Sequence, residues 1–476
     1  MNAESGPESA DPAGTAETAE TAETAQGGDH AADEGVDIGA VHKAVIASAM
    51  GNCIEWFDFG VFSAGVMTSI IGTRFFPEHI SGSATLRSFA LIAAAFLARP
   101  FGGLFFGPMG DRLGRKRVLA TTIILMSGST FVIGILPGYG TIGIAAPLLL
   151  LAVRLTQGFS TGGEYGGAAT MIAEYAPTNR RGYFGSFLEF GTLTGYILGA
   201  GLVLLVNLAV GDAAMHDWGW RIPFLIALPL GIVGLYVRTR IEDTPTFQAM
   251  EQSGKKARSP LKETLEHYWK IILMLIGIVF LLNVADYTLL TFMPSYLVDF
   301  LHMGSVKSQL VTIGVEAAMM AVILPTGHLS DRIGRRPVLL MAAVGFILFS
   351  WPAFALMQTN NWFGIAFGYA IIGGLLVLML AVIGATFPAM FPTKVRYGAF
   401  AIGYNISTSL FGGTAAVLVG SLIDATGSNY VPAYYIMLAA VVALVPILLI
   451  KETANVPIER VGMENAPEPV GSGAER

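Results

Sequence analysis

Residues 107–116, GPMGDRLGRK, recur in altered form at residues 327–336, GHLSDRIGRR. Each copy follows a long apolar stretch, and the two copies begin 220 residues apart. A motif repeated at this distance predicts two homologous halves. In each copy the glycines permit close approach of a neighbouring helix, and Asp111 or Asp331 can accept hydrogen bonds at a helix terminus. The arginines can bind acids or lipid phosphates.

The apolar stretches are typical of a membrane protein. Of the 476 residues, 53% are apolar and only 13% are charged, which differs from the composition of soluble domains. An α-helix of about 20 residues crosses the hydrocarbon core of a bilayer. Twelve such spans, numbered 1 to 12 here, can be marked at residues 43–72, 86–109, 117–136, 145–173, 183–208, 220–238, 270–298, 308–328, 337–357, 363–391, 397–423 and 431–450. The sequence therefore predicts an all-α membrane protein with 12 transmembrane helices in two pseudo-symmetric six-helix bundles.

Basic residues predict the orientation of these spans. Arginine and lysine are concentrated after the even-numbered spans, as at Arg180, Arg238 and Arg396. Because basic connections stay on the cytoplasmic side, we expect the even-numbered connections and both termini to be cytoplasmic. The predicted location is a cytoplasmic membrane, with anionic lipids as partners at the cytoplasmic rim.

Polar segments divide the chain into five parts. Residues 1–38 are acidic and poor in large apolar residues, which predicts a disordered cytoplasmic tail. We expect an N-terminal six-helix bundle at 39–238, a cytoplasmic linker at 239–269 and a C-terminal six-helix bundle at 270–451. Residues 452–476 are expected to form a short solvated cytoplasmic tail.

Several function classes lack their sequence signatures. No phosphate-binding G-x-x-x-x-G-K-[ST] loop is found, and the seven histidines show no ligand spacing. The single cysteine, Cys53, excludes an intrachain disulfide. We therefore predict that the protein is not an enzyme, has no metal site, no cofactor other than a proton gradient, and no nucleic-acid partner. The oligomeric state is left open.

Charged residues inside the spans indicate transport chemistry. Eight ionisable side chains lie well inside apolar stretches: Glu55, Asp58, Arg99, Arg154, Glu164, Glu189, Asp286 and Glu316. A charge at mid-depth in the bilayer costs about 2.5–3.5 kcal/mol on insertion scales, so each needs a partner or a proton. Six acids face two arginines in this set, so some carboxyls must be protonated part of the time or neutralised by a passing cation. Surplus acid favours protons and a cationic or zwitterionic cargo.

The stretch GNCIEWFDFG at 51–60 suggests how such a cargo is held. At helical spacing, Asn52, Glu55, Phe59 and Phe62 share one face, with Asp58 on its flank. Aromatic faces attract a quaternary or secondary ammonium group. The alternative is that the carboxylates only bond neighbouring helices. Trp56 is expected to point elsewhere, toward lipid or helix packing.

Other spans supply further candidates. Arg99 precedes Pro100 and is a candidate for binding the carboxylate of the cargo, while Asn283, Asp286 and Tyr287 are expected to lie opposite the span 1 face. Arg154 and Glu164 are about 15 Å apart along one helix, too far to pair, so each needs a partner on another helix. Glu189 and Glu316 fit a structural role and a coupling role equally.

Specific motifs carry a family resemblance. The paired G-x-x-x-D-R-x-G-R-[KR] loops and the R-x-x-Q-G pattern of residues 154–158 are similar to signatures of the major facilitator superfamily. A narrower resemblance to its metabolite:proton symporter family covers nearly all of residues 40–457 and is carried by GNCIEWFDFG (51–60), GFSTGGEYGGA (158–168), DWGWRIPF (217–224), MPSYL (293–297), FPTKVRY (391–397) and KETAN (451–455). The resemblance implies a symporter that works by alternating access, with Arg154 in proton coupling and the paired loops as a cytoplasmic gate.

Together these features predict the import of a small zwitterionic solute, such as proline, glycine betaine or ectoine, with protons. The alternative is a proton symporter for an organic acid of the dicarboxylate, citrate or shikimate type. Two or three convergent arginines in the cavity favour an anion, whereas one arginine facing an aromatic wall favours a betaine. The predicted proton-coupling residues are Glu55, Asp58, Arg154 and Glu164. The predicted solute-binding residues are Asn52, Glu55, Phe59, Phe62, Arg99, Tyr165, Asn283, Asp286 and Tyr287, and the predicted gate residues are Gly107, Asp111, Arg112, Arg115, Asp331, Arg332 and Arg335.

Overall fold

A computed structural model of the chain describes residues 37–77, 83–113, 115–239, 265–359, 361–393 and 395–458. The first six spans are formed by these helices: α1 Ile38–Ser63 and α2 Gly65–Phe75, α3 Ala84–Leu113, α4 Arg115–Ile135, the short α5 Tyr139–Ile142, α6 Ala145–Thr161 and α7 Glu164–Tyr175, α8 Arg181–Val210, the short α9 Asp212–Ala214, and α10 Arg221–Thr239. A 3-10 turn, Thr178–Arg180, precedes α8, and a π turn, Met215–Gly219, precedes α10.

The remaining spans follow the same plan: α11 Trp269–Asp286 and α12 Met293–Asp299, α13 Ser305–Ile333, α14 Arg335–Met357, α15 Trp362–Ala389, α16 Arg396–Ser407 and α17 Ala415–Thr426, and α18 Val431–Leu449. Every one of the 12 predicted spans is helical, which confirms the all-α prediction. By length and composition, ten described helices can cross a membrane, and an eleventh span is formed by α1 and α2, which meet at 73°. The remaining predicted span, span 4, consists of the consecutive helices α6 and α7.

Four spans are interrupted near their middle. Span 1 bends between α1 and α2, and span 4 breaks at Gly162 and Gly163. Span 7 contains a π turn at Tyr287–Phe292, and span 11 contains another at Thr408–Gly412. Irregular turns inside membrane helices free backbone groups, and they often occur at functional sites. The interrupted spans 1, 4 and 7 carry candidate residues, as do the uninterrupted spans 2 and 5.

Helix contacts repeat between the halves. In the first half span 1 packs on span 5, span 2 on span 4, and span 3 on span 6; in the second half the corresponding pairs are 7 with 11, 8 with 10, and 9 with 12. The halves meet through spans 2 and 11 and through spans 5 and 8. These two contacts are equivalent, because span 8 corresponds to span 2 and span 11 corresponds to span 5. The molecule is thus two pseudo-symmetric six-helix bundles, as the repeated loop motif predicts. Most residues of the predicted tails and of the linker lie outside the described residues, so their assignments stay predictions.

A glycine stripe brings span 5 against span 1. Gly191, Gly195 and Gly199 recur every four residues and therefore share one face of α8. A Cβ atom added to them would lie 2.3, 2.4 and 2.5 Å from backbone oxygens of span 1. The two backbones are in direct contact, which is the usual way that membrane helices associate without a hydrophobic driving force.

Replacing Gly195→Ala should lower the stability of the purified protein in detergent. The new methyl group would meet the carbonyl oxygen of Cys53 at 2.4 Å and the amide nitrogen of Phe57 at 2.9 Å, neither of which can swing aside. Overpacking of this kind costs about 1–3 kcal/mol. Gly201→Ala on the same helix is the matched control, because no atom lies within 4 Å of its added Cβ. Equal thermal unfolding temperatures for the two variants would contradict the packing argument.

Candidate functional site

Arg99 lies at the centre of the molecule, between the two halves. Its guanidinium is 1% exposed and contacts Glu55 of span 1, with 3.3 Å between Nη2 and Oε1. On the other side Nη1 donates to the hydroxyl of Tyr287 in span 7, at 3.4 Å. Both contacts are long for charge-assisted bonds, and Nε of Arg99 and Oε2 of Glu55 have no hydrogen-bond partner. The guanidinium is therefore charged, desolvated and incompletely bonded.

Five aromatic rings from both halves pack against one another beside this arginine, and two of them, Phe96 and Tyr287, contact it. We call them the aromatic cluster: Trp56, Phe59, Phe96, Tyr196 and Tyr287. Trp56 stacks on Tyr196 at 5.4 Å and lies 6.0 Å from Tyr287 of the other half. Phe96 holds the Arg99 guanidinium carbon 4.8 Å above its ring. Of the two expectations for Trp56, lipid is excluded and helix packing is found: its side chain is buried, and its indole N–H donates to Asn52 at 3.2 Å. The expectation that it points away from the solute face is wrong, because its ring lies 5.0 Å from that of Phe59.

A second charge pair lies wholly inside the first half. Arg154 donates to Asp58 at 2.6 Å and to Gln157 at 2.9 Å, and Gln157 donates in turn to Asp58 at 3.1 Å. The ring of Phe62 lies 3.6 Å from the guanidinium carbon of Arg154. Span 4 thus finds the partner for Arg154 in span 1, as the spacing argument requires. Phe62 belongs to this pair and not to the aromatic cluster, so its predicted place beside Phe59 in a solute cage is not supported.

A third pair was missed in the sequence. Glu164 accepts from Arg238 at 2.7 Å, and both side chains are buried. Arg238 was interpreted as a basic residue of a cytoplasmic connection, but it belongs to the interior. Gly51 makes room for it, because a Cβ at position 51 would lie 1.7 Å from the guanidinium Nη2. The signal was present: Gly231, Gly234 and Arg238 share one buried face of α10.

This pair changes the charge balance that the sequence suggested. Six buried acids face three interior arginines in the described spans, and three of the acids are paired: Glu55, Asp58 and Glu164. Glu189 accepts instead from the hydroxyl of Tyr165 at 2.5 Å. Asp286 and Glu316 each have a carboxyl oxygen without a hydrogen-bond partner. A surplus of acid therefore remains among the described residues, and it consists of Glu189, Asp286 and Glu316.

Other predicted solute-binding residues are committed to packing. Asn52 donates to Leu188 and Thr192 of span 5 and accepts from Trp56, so its amide is used within the first half. Asn283 donates to Ser407 of span 11 at 3.4 Å. The ring of Tyr165 stacks on Tyr404 across the boundary between the halves, with 4.3 Å between centroids and 8° between planes. The structure brings Glu55, Phe59, Arg99 and Tyr287 together, places Tyr165 at the same boundary, and places Asn52 and Asn283 behind it.

One face of the molecule, here called the Asp331 face, carries the second copy of the repeated loop. Asp331 accepts from the backbone amides of Gly182 and Tyr183 at the start of span 5, at 2.7 and 2.9 Å. Arg335 lies 3.4 Å from the same carboxylate. Asp331 therefore joins the second half to the positive end of a helix of the first half. The exposed Arg332 has no described contact of this kind. The side chains of Asp111, Arg112 and Arg115 and the surroundings of Gly107 lie outside what the structure describes.

The break in span 4 supplies a second contact on the Asp331 side. The carbonyl groups of Gly162 and Gly163 are freed there, and they accept from Asn405 at 2.8 Å and from Tyr397 at 2.7 Å. Both donors belong to span 11 of the other half. Arg396, at the start of span 11, also pairs with Glu174 of span 4 at 3.1 Å. These bonds hold the two halves together on the Asp331 side of the central site.

The segment 451–458, here called the strap, crosses the same face. Glu452 accepts from the backbone amides of Arg335 and Arg336 at 3.0 and 3.1 Å, which caps α14. The carbonyls of Val456 and Ile458 accept from Arg181 and Arg396 of spans 5 and 11. Ile458 is 4% exposed and packs on spans 4 and 10. The prediction that the tail is solvated from residue 452 is therefore wrong for residues 452–458.

The opposite face, which carries Arg74, is also closed. The hydroxyl groups of Thr68 in span 1 and Ser295 in span 7 lie 3.1 Å apart. A Cβ on Gly65 would lie 3.1 Å from the Pro294 carbonyl oxygen. The central arginine and the aromatic cluster are therefore covered on both faces, and the structure is of an occluded form.

A buried site between two halves, sealed on both faces, is typical of transporters that work by alternating access. The sequence profile of the sugar (and other) transporter family matches residues 43–267 and 248–464. The chain belongs to this family. It is a transporter and not an enzyme.

Curated relatives and solved structures agree with this assignment. The chain is 44% identical over 434 residues to the proline/betaine transporter of Escherichia coli K12, covering 89% of this chain and 86% of the relative. It is 42% identical over 433 residues to the glycine betaine/proline/ectoine/pipecolic acid transporter OusA of Dickeya dadantii, with the same coverage of both proteins. It is 38% identical over 434 residues to the ectoine/proline transporter ProP of Corynebacterium glutamicum, covering 88% of this chain and 85% of the relative. A structure of XylE, a proton:xylose symporter of the major facilitator superfamily, superposes with a TM-score of 0.73 at 17% identity, covering 90% of this chain and 99% of that one. The protein thus has the fold of that superfamily.

The Glu164 and Arg238 pair should behave as a unit in stability measurements. Replacing Arg238→Met alone leaves the Glu164 carboxylate buried without its partner, which costs about 3–5 kcal/mol. Glu164→Gln alone likewise leaves the Arg238 guanidinium buried without a carboxylate partner. The double variant Glu164→Gln/Arg238→Met removes both charges and should recover most of the loss in thermal unfolding. Additive losses would show that the two side chains do not interact.

Glu452 should make the stability of the Asp331 face depend on pH. Partial burial alone would raise the pKa of this carboxyl, but four backbone N–H donors outweigh burial and hold the pKa below its ordinary value. Its contribution is therefore fully present above the pKa of the unfolded chain and lost as the pH falls through the lowered value. We expect Glu452→Gln to lower the unfolding temperature at neutral pH, by an effect of about 1 kcal/mol. The difference from wild type should vanish in a series of melts at decreasing pH; a constant difference would contradict the cap.

Proposed function

We propose that the protein is a proton-coupled symporter that imports small zwitterionic solutes, such as proline, glycine betaine or ectoine, across the bacterial cytoplasmic membrane. The observation that carries the proposal is the guanidinium of Arg99, which lies between the halves, is held only by contacts of 3.3 and 3.4 Å, and has an aromatic cluster beside it. Solutes named for the relatives, among them betaine, proline and ectoine, pair a carboxylate with a positively charged nitrogen. The two features of the site match those two groups.

The carboxylate of the solute is proposed to bind Arg99. Charge-assisted bonds to a planar guanidinium are normally shorter than the 3.3 and 3.4 Å contacts that Arg99 makes now. A solute carboxylate can replace Glu55 as the main partner of Arg99. The positively charged nitrogen then lies against Trp56 and Tyr287, where cation–π attraction is worth about 0.5–2 kcal/mol.

The same exchange provides proton coupling. When the solute takes the guanidinium, the Glu55 carboxylate is left buried without its partner, and a proton from the aqueous side neutralises it. Solute and proton then occupy the site together, and both leave when the halves open to the other side. Asp58, Arg154 and Glu164 remain proposed coupling residues, because a proton on either acid would release its arginine. No bound cofactor is needed; the proton gradient is the energy source.

The rival cargo, a dicarboxylate or another organic acid, needs more positive charge than the site offers. Arg154 and Arg238 are both bonded to acids within the first half, at 2.6 and 2.7 Å. Arg99, the one of these three arginines that contacts both halves and lies beside the aromatic cluster, therefore favours a betaine. The Asp331 face is proposed to be cytoplasmic, because basic connections stay inside. Its exposed arginines would then meet anionic lipid headgroups.

Uptake into proteoliposomes tests the proposal. We expect an inward proton gradient to accelerate the uptake of labelled glycine betaine or proline and to have no effect on labelled 2-oxoglutarate. An uncoupler that dissipates the gradient is the control for passive binding. Gradient-driven uptake of 2-oxoglutarate alone would identify the organic-acid function, and solute uptake indifferent to the gradient would exclude proton coupling.

Trp56→Leu should weaken solute binding more than turnover. Losing one cation–π contact of about 0.5–2 kcal/mol raises the KM for glycine betaine roughly 2- to 30-fold. The matched control is Trp362→Leu, at the exposed start of span 10. An unchanged KM, with both variants inserted and folded, would remove Trp56 from the solute site.

A further inference from the structure

Two buried carboxyl groups of the second half take no part in the scheme above. Asp286 is the last residue of α11, and Glu316 lies in α13. Their side chains belong to residues that are only 6% and 1% exposed. The charge of Asp286 acts electrostatically on Glu316.

Neither acid has a cationic partner among the described residues. The described ion pairs include neither Asp286 nor Glu316, although they include the acids Glu55, Asp58 and Glu164 of the first half. Oδ1 of Asp286 and Oε2 of Glu316 also accept no hydrogen bond. An acid retained only to hold helices together would use both oxygens, as Asp58 does with Arg154 and Gln157.

The groups that face this pair from other spans are mostly neutral or negative. Glu189 acts on Asp286 from span 5, and Arg99 acts on it from span 2. Arg99 is the one cation described as acting on Asp286, and it already contacts Glu55. The other groups that interact with the two acids are tyrosines: Tyr196 of span 5, Tyr287 of span 7, Tyr369 of span 10 and Tyr404 of span 11.

A bound metal ion does not fit this arrangement. Among the described residues, no three acid, histidine or cysteine side chains are placed to share one ion. Two ionised carboxylates in a low-dielectric interior repel each other, and each carries a desolvation penalty of several kcal/mol. A proton is the ligand that removes this penalty without further donors.

The pair also lies where the halves must separate. Tyr196 of span 5 interacts electrostatically with both acids, and its hydroxyl is 3.0 Å from that of Thr291 in span 7. Span 5 packs along span 8, which carries Glu316. Movement of span 5 away from spans 7 and 8 would therefore bring water to the pair.

We propose that Asp286 and Glu316 form a second proton-binding site, in the second half, that is separate from the arginine-paired acids of the first half. The pair holds a proton while the halves are closed around it and releases the proton when span 5 withdraws. The inference rests on the proposed proton-coupled transport and adds to it a second proton carried in each cycle.

The number of protons carried with each solute tests this site. In proteoliposomes, the ratio is obtained from the pH gradient at which net flux of labelled glycine betaine is zero at a fixed solute gradient. We expect Asp286→Asn and Glu316→Gln each to lower the ratio by about one proton per solute, because the proposed pair holds one proton and either amide would remove that site. Exchange of labelled for unlabelled solute without a gradient should continue. Asp424→Asn, on an exposed acid of the same half, is the control and should keep the wild-type ratio.

Infrared difference spectroscopy between low and high pH gives a readout that does not depend on transport. The carboxyl band of a protonated acid should be present in the wild type and reduced in both variants, but not in Asp424→Asn. Unchanged ratios together with unchanged spectra would overturn the site, as would loss of solute exchange, which would place the acids in solute binding. If either amide variant fails to fold, the other variant and the wild-type spectrum test the site. A wild-type spectrum without a titrating carboxyl band would also overturn the proposed site. Absence of proton-driven uptake by the wild type, with the band present, would refute the proposed function and leave the protonated pair in place.

Discussion

The structure depends on one constraint: a charge buried in hydrocarbon needs an opposite charge, a full set of hydrogen bonds or a proton. Asp58 with Arg154 and Glu164 with Arg238 meet it by tight pairing, at 2.6 and 2.7 Å. Arg99 and Glu55 meet it loosely, with room for a third participant. Within the described part of the chain, Asp286 and Glu316 have no opposite charge as close partner. Each way of satisfying the same requirement corresponds to a different proposed role.

The distribution of these pairs also bears on how the halves can move. The tight pairs lie within the first half, so a rocking motion leaves them intact. Contacts across the boundary between the halves are mostly neutral or involve backbone groups, as between Tyr397 and Gly163 or between Thr68 and Ser295. A neutral hydrogen bond contributes only about 0.5–1.5 kcal/mol net, whereas breaking a buried ion pair costs several times more. The ion pair of Arg396 and Glu174 crosses the boundary on the Asp331 side, where opening would admit water.

Much of this arrangement could be predicted from the sequence, and the failures have physical causes. Hydropathy placed the 12 spans, because a bilayer requires long apolar helices, and the paired loops predicted the two halves. Arg238 was assigned to a connection because the positive-inside rule counts basic residues without asking which helix face they occupy. Trp56 was misplaced because single-helix geometry does not show which face meets the other half. The partner of Arg99 could not be chosen from the sequence, since Glu55 and Tyr287 come from different halves of the fold.

The strap has a consequence for labelling. Its residues 452–458 are bonded to spans 5 and 11 and pack on spans 4 and 10, so the chain is anchored well past the last membrane helix. A fluorescent protein or affinity tag fused directly after span 12 would remove the carbonyls that Arg181 and Arg396 use. A fusion placed beyond Ile458 preserves them. A small dye on the exposed Asn455, between those anchors, would sit where the halves part and would register each opening of this face as a change in its surroundings.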